Sequence, residues 1–308
     1  GILVVYRIGG QITVPGVQVA VIQEFFSNSG NELLGMYDMF VGGNFTRAAI
    51  FALGIMPYIS ASIIFQLLGA VIPTFQKLQR EGEEGRKKIN QYTRYATVIL
   101  AAAQSYGITY FLQSIRGPAS GLPAVPEPGI SFVLQTMLTI TTGTVFIMWL
   151  GEQITERGIG NGISLLIFIG IIAELPSAIR NEYQHFLANQ GLGKNIIEEL
   201  IVLSLMFLVI AFVILMTQGL RKIPVQYAKR VVGRRVMGGQ STHIPLRINT
   251  AGVIPIIFAQ SIMFLPGTIT QMFPDSSFLQ AIGGVLSPDS FVYWGCFGLM
   301  IIFFTYFY

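Results

Sequence analysis

Few residues capable of catalysis occur in this sequence at the spacing that catalysis requires. His185 and His243 both fall in predicted loops, and the sequence contains no His-Glu-x-x-His motif of the kind that binds zinc in metalloproteases. Ser164 has no histidine at its level in the predicted helix that could activate it as a nucleophile. Cys296 is the single cysteine, so the chain can form neither an internal disulfide nor a cysteine zinc site.

A glycine-rich stretch from Gly158 to Gly162 superficially resembles a phosphate-binding loop. It follows no predicted strand, and it lacks the Lys-Ser/Thr ending with which such loops hold phosphate and magnesium. We therefore expect no nucleotide site, no metal and no cofactor, and we predict that the protein is not an enzyme. The energy for any work that it does must then come from a partner.

The composition places the chain in a membrane. Of its 308 residues, 52% are hydrophobic and only 11% are charged, whereas soluble domains carry about 25% charged residues. Apolar stretches that could cross hydrocarbon recur along the chain. They cover residues 1–8, 45–72, 95–115, 130–150, 162–180, 197–219, 250–273 and 290–308. Because both ends of the sequence fall inside such stretches, we expect a partial chain.

Basic residues are distributed unequally between alternate loops. Fourteen of the 19 lie in one set, at residues 77–94, at Arg157 and at residues 221–247, and the other set holds five. Loops rich in Lys and Arg remain on the cytoplasmic side of a membrane. We therefore predict that the first set is cytoplasmic.

The basic loop at residues 220–249 supports two interpretations. It carries seven basic residues, and no acidic residue occurs between Glu199 and Asp275. The first interpretation is that the basic residues fix the orientation of the protein in the membrane and attract anionic lipid, which is worth about 1 kcal/mol per charge. However, Gly233-Arg234-Arg235 and Gly238-Gly239 also indicate the turns of a projecting hairpin, which could dock on RNA phosphates or on an acidic protein face. Composition leaves both interpretations open.

Two short sequences of the form Gly-x-x-Pro indicate an internal repeat. They lie at Gly54 to Pro57, in the second predicted span, and at Gly252 to Pro255, in the seventh, five spans farther along the chain. The two helices therefore cross in opposite directions, as an inverted repeat requires. Chance matches explain the pattern equally well, because Gly and Pro are common in membrane helices.

The predicted spans contain isoleucine at helical spacing and almost no ionisable residue. The clearest exception is Glu174, near the outer end of its helix and close to Pro176. A secondary transporter would place ionisable groups near the bilayer midplane, so that class of protein is disfavoured. The isoleucine pairs are spaced by four residues and so share a helix face, although such faces usually contact lipid or another helix. The positions are Ile55 and Ile59, Ile163 and Ile167, and Ile257.

Several longer segments resemble the SecY family, the central subunits of bacterial protein-conducting channels. Residues 50–64 (IFALGIMPYISASII) resemble the family's second helix, and residues 152–164 (EQITERGIGNGIS) resemble the entry into its fifth. Residues 227–230 (YAKR), 240–243 (QSTH) and 249–255 (NTAGVIP) resemble its long cytoplasmic loop and seventh helix. The similarity covers essentially the whole chain.

The resemblance implies an all-α polytopic membrane protein built from two inverted halves of five helices. Residues 1–180 would form the N-terminal half, and residues 197–308 would belong to the C-terminal half, with the basic loop at 220–249. The similarity runs from the end of helix one to helix eight. We therefore expect the second half to be incomplete, without helices nine and ten.

The resemblance also implies a function. The chain would be the pore-forming subunit that passes unfolded polypeptides across the bacterial plasma (inner) membrane and releases hydrophobic segments sideways into lipid through a lateral gate. A ring of apolar side chains would narrow the pore, because an apolar constriction expels water and so blocks ions without a charged gate. At the matching positions of this sequence, the residues of the isoleucine ring are Ile55, Ile59, Ile163, Ile167 and Ile257.

Three further groups of residues follow from the same resemblance. A plug at about residues 33–47 would close the outer funnel, with Gly42 and Gly43 as its flexible point. The plug and hinge residues are Met39, Phe40, Gly42 and Gly43. The lateral gate would include Gln66, Asn249, Pro57 and Pro255. The residues expected to dock cytoplasmic partners are Arg230, Arg234, Arg235 and Arg247.

The implied partners supply both structure and energy. They are the small clamp subunit SecE, the subunit SecG, and the motor ATPase SecA or a translating ribosome on the cytoplasmic face. Signal sequences, nascent chains and membrane lipids would be the other molecules that the channel contacts.

Overall fold

Helices make up most of this computed structural model. The structure describes residues 1–29, 32–118, 120–158, 160–188, 192–225, 230–232, 235–237, 242–252, 254–272, 281, 284–285 and 290–307. The helices are α1 (Ile2–Gly9), α2 (Val19–Ser29), α3 (Glu32–Val41), α4 (Met56–Val71), α5 (Pro73–Arg80), α6 (Glu83–Ser114), α7 (Ile130–Arg157), α8 (Gly162–Ala188), α9 (Leu192–Gln218), α10 (Ile254–Met272) and α11 (Phe291–Phe307). The strands are β1 (Leu220–Val225), β2 (Arg230–Val232), β3 (Arg235–Met237) and β4 (Thr242–Arg247).

Several helices in the described part of the chain could cross a membrane. Three are long and apolar enough on their own: Ile130–Arg157, Gly162–Gln184 and Glu199–Gln218. A fourth is possible if α4 and α5, which meet at an angle of 100°, count as one broken span. Shorter apolar helices occur at Ile254–Met263 and Phe291–Phe307. Much of the predicted series of spans is therefore helical.

The sequence pattern indicated a single helix over the apolar stretch at residues 45–72. The structure shows that this stretch is not one helix. Residues 42–55 form a largely buried series of turns, and α4 begins only at Met56. Pro57 lies in the first turn of α4, where a backbone N–H has no partner within the helix, so the missing N–H of proline removes no hydrogen bond. At the other end, Ile72 is extended, as expected for a residue that precedes a proline, and Pro73 opens α5 in a new direction. Apolar composition alone could not distinguish buried turns from helix.

The two Gly-x-x-Pro sequences have the same local structure. Gly54 has φ +55° and Gly252 has φ +64°, both in the left-handed region that glycine tolerates best. In each case a helix begins two residues after the glycine, with proline as its second residue. The motif is therefore a helix start at both positions, α4 and α10.

The chain divides into two compact units, of which the larger contains residues 1–179 and 256–307. Within it, α6 and α7 lie side by side, and the hydroxyls of Ser105 and Thr141 are 3.3 Å apart. The fully buried ring of Phe51 stacks between Tyr6, 5.9 Å away between centroids, and Phe146, 6.1 Å away. These contacts anchor the turns before α4 to α1 and α7. The predicted division into halves at residues 1–180 and 197–308 stays a prediction.

The smaller unit contains residues 180–255. Its strands β1 and β4 pair antiparallel, from Leu220 opposite Arg247 to Val225 opposite Thr242, and β2 pairs with β3. Each long strand contains a proline, Pro224 in β1 and Pro245 in β4. The basic loop therefore has the hairpin character that its sequence indicated. Its predicted turns at Gly233-Arg234 and Gly238-Gly239 lie outside the described residues.

Candidate functional site

Three of the five isoleucines predicted to form a ring are buried in the larger unit. Ile55 directly precedes α4 and Ile59 lies in its first turn, and their exposed fractions are 6% and 5%. Ile64, farther along the same helix, is 42% exposed. On α8, Ile167 is buried and Ile163 is partly exposed, as is Ile257 at the start of α10. The buried faces of α4 and α8 are thus the faces on which the isoleucine pairs lie.

Gly151 of α7 is the point where two of these side chains come together. A Cβ atom on Gly151 would lie 3.4 Å from Cγ1 of Ile163 and 3.7 Å from Cδ1 of Ile55. The two isoleucines, far apart in sequence, therefore approach the same point on α7. Sequence reasoning missed Gly151. The sequence did contain an indication of its role, because a glycine within a membrane helix often marks a close contact between helices.

The glycine-rich stretch before α8 caps that helix and so positions Ile163. Oδ1 of Asn161 accepts hydrogen bonds from the backbone N–H groups of Ile163, at 3.0 Å, and Ser164, at 3.3 Å. The hydroxyl of Thr155 accepts the N–H of Gly162 at 2.9 Å. These contacts satisfy donors that a helix start leaves free. The stretch thus joins α7 to α8.

An ion pair lies one residue from Gly151. Arg94 of α6 contacts both carboxylate oxygens of Glu152, with Nε donating to Oε1 at 2.8 Å and Nη2 lying 2.8 Å from Oε2. Two-point contacts of this kind fix orientation as well as distance. The pair therefore holds α6 and α7 in register beside the isoleucines. Among the described residues, no group of three or more His, Cys, Asp or Glu is placed to hold a metal ion.

The predicted plug at residues 33–47 consists of a helix followed by a tight turn. Most of it is α3, in which Met39 is exposed and Phe40 is half-buried. We call residues 42–47 the glycine turn, because Gly42 and Gly43 open it with φ of +75° and +76°. A Cβ on Gly42 would lie 2.8 Å from Cα of Gly170, and one on Gly43 would lie 2.5 Å from Oε1 of Glu174. Both glycines therefore permit close approach to α8, and their role as a hinge stays a prediction.

Asp38 holds the glycine turn together, and sequence reasoning missed it. Its Oδ1 accepts the backbone N–H groups of Phe45, at 2.8 Å, and Thr46, at 3.1 Å, while Oδ2 accepts the Thr46 hydroxyl at 2.7 Å. Burial raises the pKa of the Asp38 carboxyl above its ordinary value, although the hydrogen bonds from Thr46 and Phe45 act in the opposite direction. No local pattern marks such a residue as the partner of a turn several positions later.

The candidate lateral-gate residues make contacts within their own segments. Nε2 of Gln66 donates to the hydroxyl of Ser62, one helical turn earlier, at 3.2 Å. Asn249 is exposed, and its Oδ1 accepts the N–H of Gly252 at 2.9 Å, which stabilises the turn before α10. Pro57 and Pro255 are buried in the first turns of α4 and α10. Their assignment to a gate stays a prediction.

The candidate docking residues belong to the basic loop. Arg230 begins β2 opposite Met237, and Arg235 begins β3 opposite Val232. Arg247 ends β4 and is exposed. Arg234 lies outside the described residues. The described backbone therefore places basic positions on both paired ribbons of the loop.

Comparison with known proteins identifies the family. Residues 49–308 match the family described as SecY. The chain is 48% identical over 311 aligned residues to the protein translocase subunit SecY of Escherichia coli strain K12, an alignment that covers 100% of this chain and 69% of that protein. The chain belongs to the SecY family. Members of this family are membrane proteins, and the resemblance carried by residues 50–64 and 152–164 is confirmed.

Solved structures show the corresponding fold. A structure described as a protein-conducting channel aligns with 89% of this chain at a TM-score of 0.58 and 18% identity. A SecY structure, whose plug domain is described as stabilising the closed state of the translocation channel and maintaining a membrane seal, aligns at a TM-score of 0.56 and 20% identity. This chain spans 57% and 56% of those two chains. The predicted fold class, a SecY-like helical membrane protein, is confirmed, and the partial coverage is consistent with the predicted incomplete second half.

Proposed function

We propose that this chain forms the pore of a protein translocation channel and passes unfolded polypeptides across the membrane. The observation that carries the proposal is the convergence of Ile55 and Ile163 on Gly151, together with the burial of Ile55, Ile59 and Ile167. Aliphatic side chains from α4 and α8 thus face inward, where a lipid-facing role would require exposure. Ile257 on α10 completes the proposed isoleucine ring.

The chemistry of isoleucine suits a constriction that must admit a polypeptide and exclude ions. A narrow apolar passage expels water, so an ion that enters it loses its hydration. Isoleucine carries no charge and no hydrogen-bonding group, so the ring has no preference for one kind of passing side chain. A charged ring would bind opposite charges and delay them. The ring therefore combines ion exclusion with tolerance of sequence.

Ion conductance of the resting channel tests this proposal. We expect the double variant Ile55→Ser and Ile163→Ser, in the complete assembly reconstituted in liposomes, to leak ions, because hydroxyls keep the constriction wet. Ile64→Ser is the matched control: it makes the same chemical change on α4 at a more exposed position. A double variant that is as tight as the control would contradict the proposed ring. A secondary transporter would instead lose binding of its substrate.

The glycine turn and α3 form the proposed plug. Their support is the direct packing of Gly42 and Gly43 on α8, the helix that also carries Ile163 and Ile167. A segment seated in this way closes the channel while it remains in place, and it opens the channel when it leaves α8.

The proposed lateral gate opens toward lipid between the helices that follow the two Gly-x-x-Pro motifs. Gln66 and Asn249 are its polar residues, and Pro57 and Pro255 fix the starts of its helices. Gln66→Leu is the cleaner test of the two amides, because replacing Asn249 would also remove the bond that stabilises the turn before α10. We expect Gln66→Leu to change the export of signal sequences graded by hydrophobicity. An unchanged dependence on hydrophobicity would remove Gln66 from the gate.

The basic loop is the proposed docking surface for cytoplasmic partners. We assign it to SecA or a ribosome, with SecE and SecG as the other subunits, and we place the chain in the bacterial inner membrane with its basic loops in the cytoplasm. The chain itself catalyses no reaction in this proposal. Reversing the charges of Arg234 and Arg235 should weaken binding of the partner and reduce its dependence on salt. Arg230 and Arg247 would contribute to the same surface, and binding that ignored both charge and salt would refute the assignment.

A further inference from the structure

Glu174 is an ionisable residue on a membrane helix, and the proposed isoleucine ring gives it no role. Its Oε1 lies 3.8 Å from Nη2 of Arg47, and its Oε2 accepts a hydrogen bond from the hydroxyl of Ser177 at 3.2 Å. Each side chain of the ion pair is 32% exposed. Ionisable groups in membrane segments are costly, and they usually mark a functional contact.

Arg47 belongs to the glycine turn, which is itself tied to α3. The carbonyl of Asp38 accepts the N–H of Gly43 at 2.8 Å, and its carboxylate binds Phe45 and Thr46 as described above. These bonds fold the chain back at the end of α3. A displacement of Arg47 therefore also moves α3, because Asp38 of α3 is hydrogen-bonded to the glycine turn that contains Arg47.

The glycine turn also contacts α1. Nη1 of Arg7 donates to the carbonyl of Gly42 at 3.4 Å, and beside the turn the hydroxyl of Tyr6 donates to the carbonyl of Val41, the last residue of α3, at 3.3 Å. Against α8, in contrast, the turn makes backbone contact at Gly170 and an ionic contact at Glu174. Of these contacts, the ionic one joins side chains on two separate segments and can break without moving either backbone.

We propose that Glu174 is a positioning residue that, through Arg47, latches the glycine turn onto α8 and so biases the channel toward its closed state. This proposal rests on the proposed function, because it needs residues 33–47 to act as the plug. The pair is partly exposed and its distance is long, so it is weak. A weak ion pair suits a latch. It shifts the equilibrium between the glycine turn seated on α8 and the turn released from α8, and a passing polypeptide can still break the pair.

Single-channel recording of the complete assembly in a lipid bilayer tests the latch. Because partly exposed ion pairs are weak, we expect Glu174→Gln to raise the ratio of open to closed time by no more than about five-fold. High salt should produce the same rise in the parent protein and none in the variant. Glu182→Gln, which changes an exposed carboxylate farther along α8, is the control and should behave as the parent protein.

Charge exchange separates a latch from a general loss of structure. Arg47→Glu alone should open the channel more than Glu174→Gln, because two carboxylates then face each other. The combination of Arg47→Glu with Glu174→Arg should restore most of the closed time, and it carries the test if a single variant fails to assemble. Equal open times in the single and combined variants would overturn the latch.

The isoleucine-ring experiment distinguishes the two possible failures. If Ile55→Ser with Ile163→Ser leaks ions while Glu174→Gln leaves the open time unchanged, the latch is wrong and the pore proposal stands. If the ring variant does not leak either, the pore proposal fails, and the latch fails with it.

Discussion

The isoleucine ring and the glycine turn contact the same helix, α8, by different means. Near its start, Ile163 approaches Gly151 of α7 from one side, and Ile55 approaches the same glycine, both through aliphatic side chains. Farther along, Gly170 and Glu174 meet the turn through one backbone contact and one ion pair. One helix thus carries an apolar contact near its start and a polar contact near its middle.

The two kinds of contact fail in different ways. Aliphatic contact has no direction, so the side chains can shift and still exclude water. A hydrogen bond or ion pair depends on distance and angle, and it is lost as a unit when either partner moves. The ring is therefore suited to yield and reclose around a passing chain, whereas the turn is suited to a seated and a released state. Three predictions test this contrast, beginning with the largest effect.

Gly151→Leu tests how tightly the ring is packed. A leucine side chain would enter the space occupied by Ile55 and Ile163, and overpacking of this kind typically costs about 1–3 kcal/mol of stability. Gly151→Ala is the matched control, because its Cβ would make ordinary contacts at 3.4 to 3.7 Å. Denaturant unfolding of the solubilised assembly measures both. Equal stability of the two variants would show that the isoleucines do not converge at this glycine.

Gly42→Ala tests whether the turn must approach α8 closely. Alanine in the left-handed region costs roughly 1–2 kcal/mol, and its Cβ would lie 2.8 Å from Cα of Gly170. Gly82 is the control: its φ is also +75°, but nothing lies within 4 Å of the added Cβ. Both variants should lose stability from backbone strain, and Gly82→Ala should lose more, because the ψ of Gly82 is −134°, outside the left-handed helical region. Only Gly42→Ala should raise the open time of the channel, and the same rise in Gly82→Ala would contradict the close approach.

The smallest effect is a dependence of the seated turn on pH. Burial raises the pKa of Asp38 above its ordinary 3.8, so the seated turn holds a proton more readily than the released one. Seating should therefore strengthen as the pH falls through this raised pKa. The charge of Glu174 on α8 also raises the pKa of Asp38.

The measurement is best made in the Glu174→Gln background, because that variant removes the carboxylate of α8 that acts on Asp38. The open time should fall as the pH on the plug side is lowered toward 3.8, the ordinary pKa of aspartate. Adding Asp38→Asn should remove this dependence, because the amide does not titrate in this range. A dependence that survives Asp38→Asn must come from another group.

The sequence predicted the elements that depend on local pattern. The spacing of Ile55 with Ile59, and of Ile163 with Ile167, correctly indicated shared helix faces, because α-helical periodicity is a property of a few neighbouring residues. The glycine pairs of the basic loop indicated a hairpin for the same reason. The five ring residues as a group, however, came from resemblance to a family, since isoleucine in a membrane helix has no special meaning by itself.

Contacts between distant segments could not be predicted. The position of Gly151 beside Ile55 depends on how α7 packs against the start of α4, which no local pattern encodes. Glu174 stood out as an ionisable residue in an apolar helix, but its partner Arg47 lies in a different part of the chain. The start of α4 at Met56 was missed because residues 45–55 are apolar in buried turns as they would be in a helix.

The ribbon formed by β1 and β4 bears on how a channel of this kind handles its cargo. An extended chain with unpaired amide and carbonyl groups can add to the free edge of any exposed strand and remain there. Pro224 and Pro245 each remove one backbone donor from their strand, and Arg221, Lys222 and Arg247 place charge along it. The ribbon is thereby a poor template for a third strand, and under the proposed function an unfolded chain that touches it would not be captured.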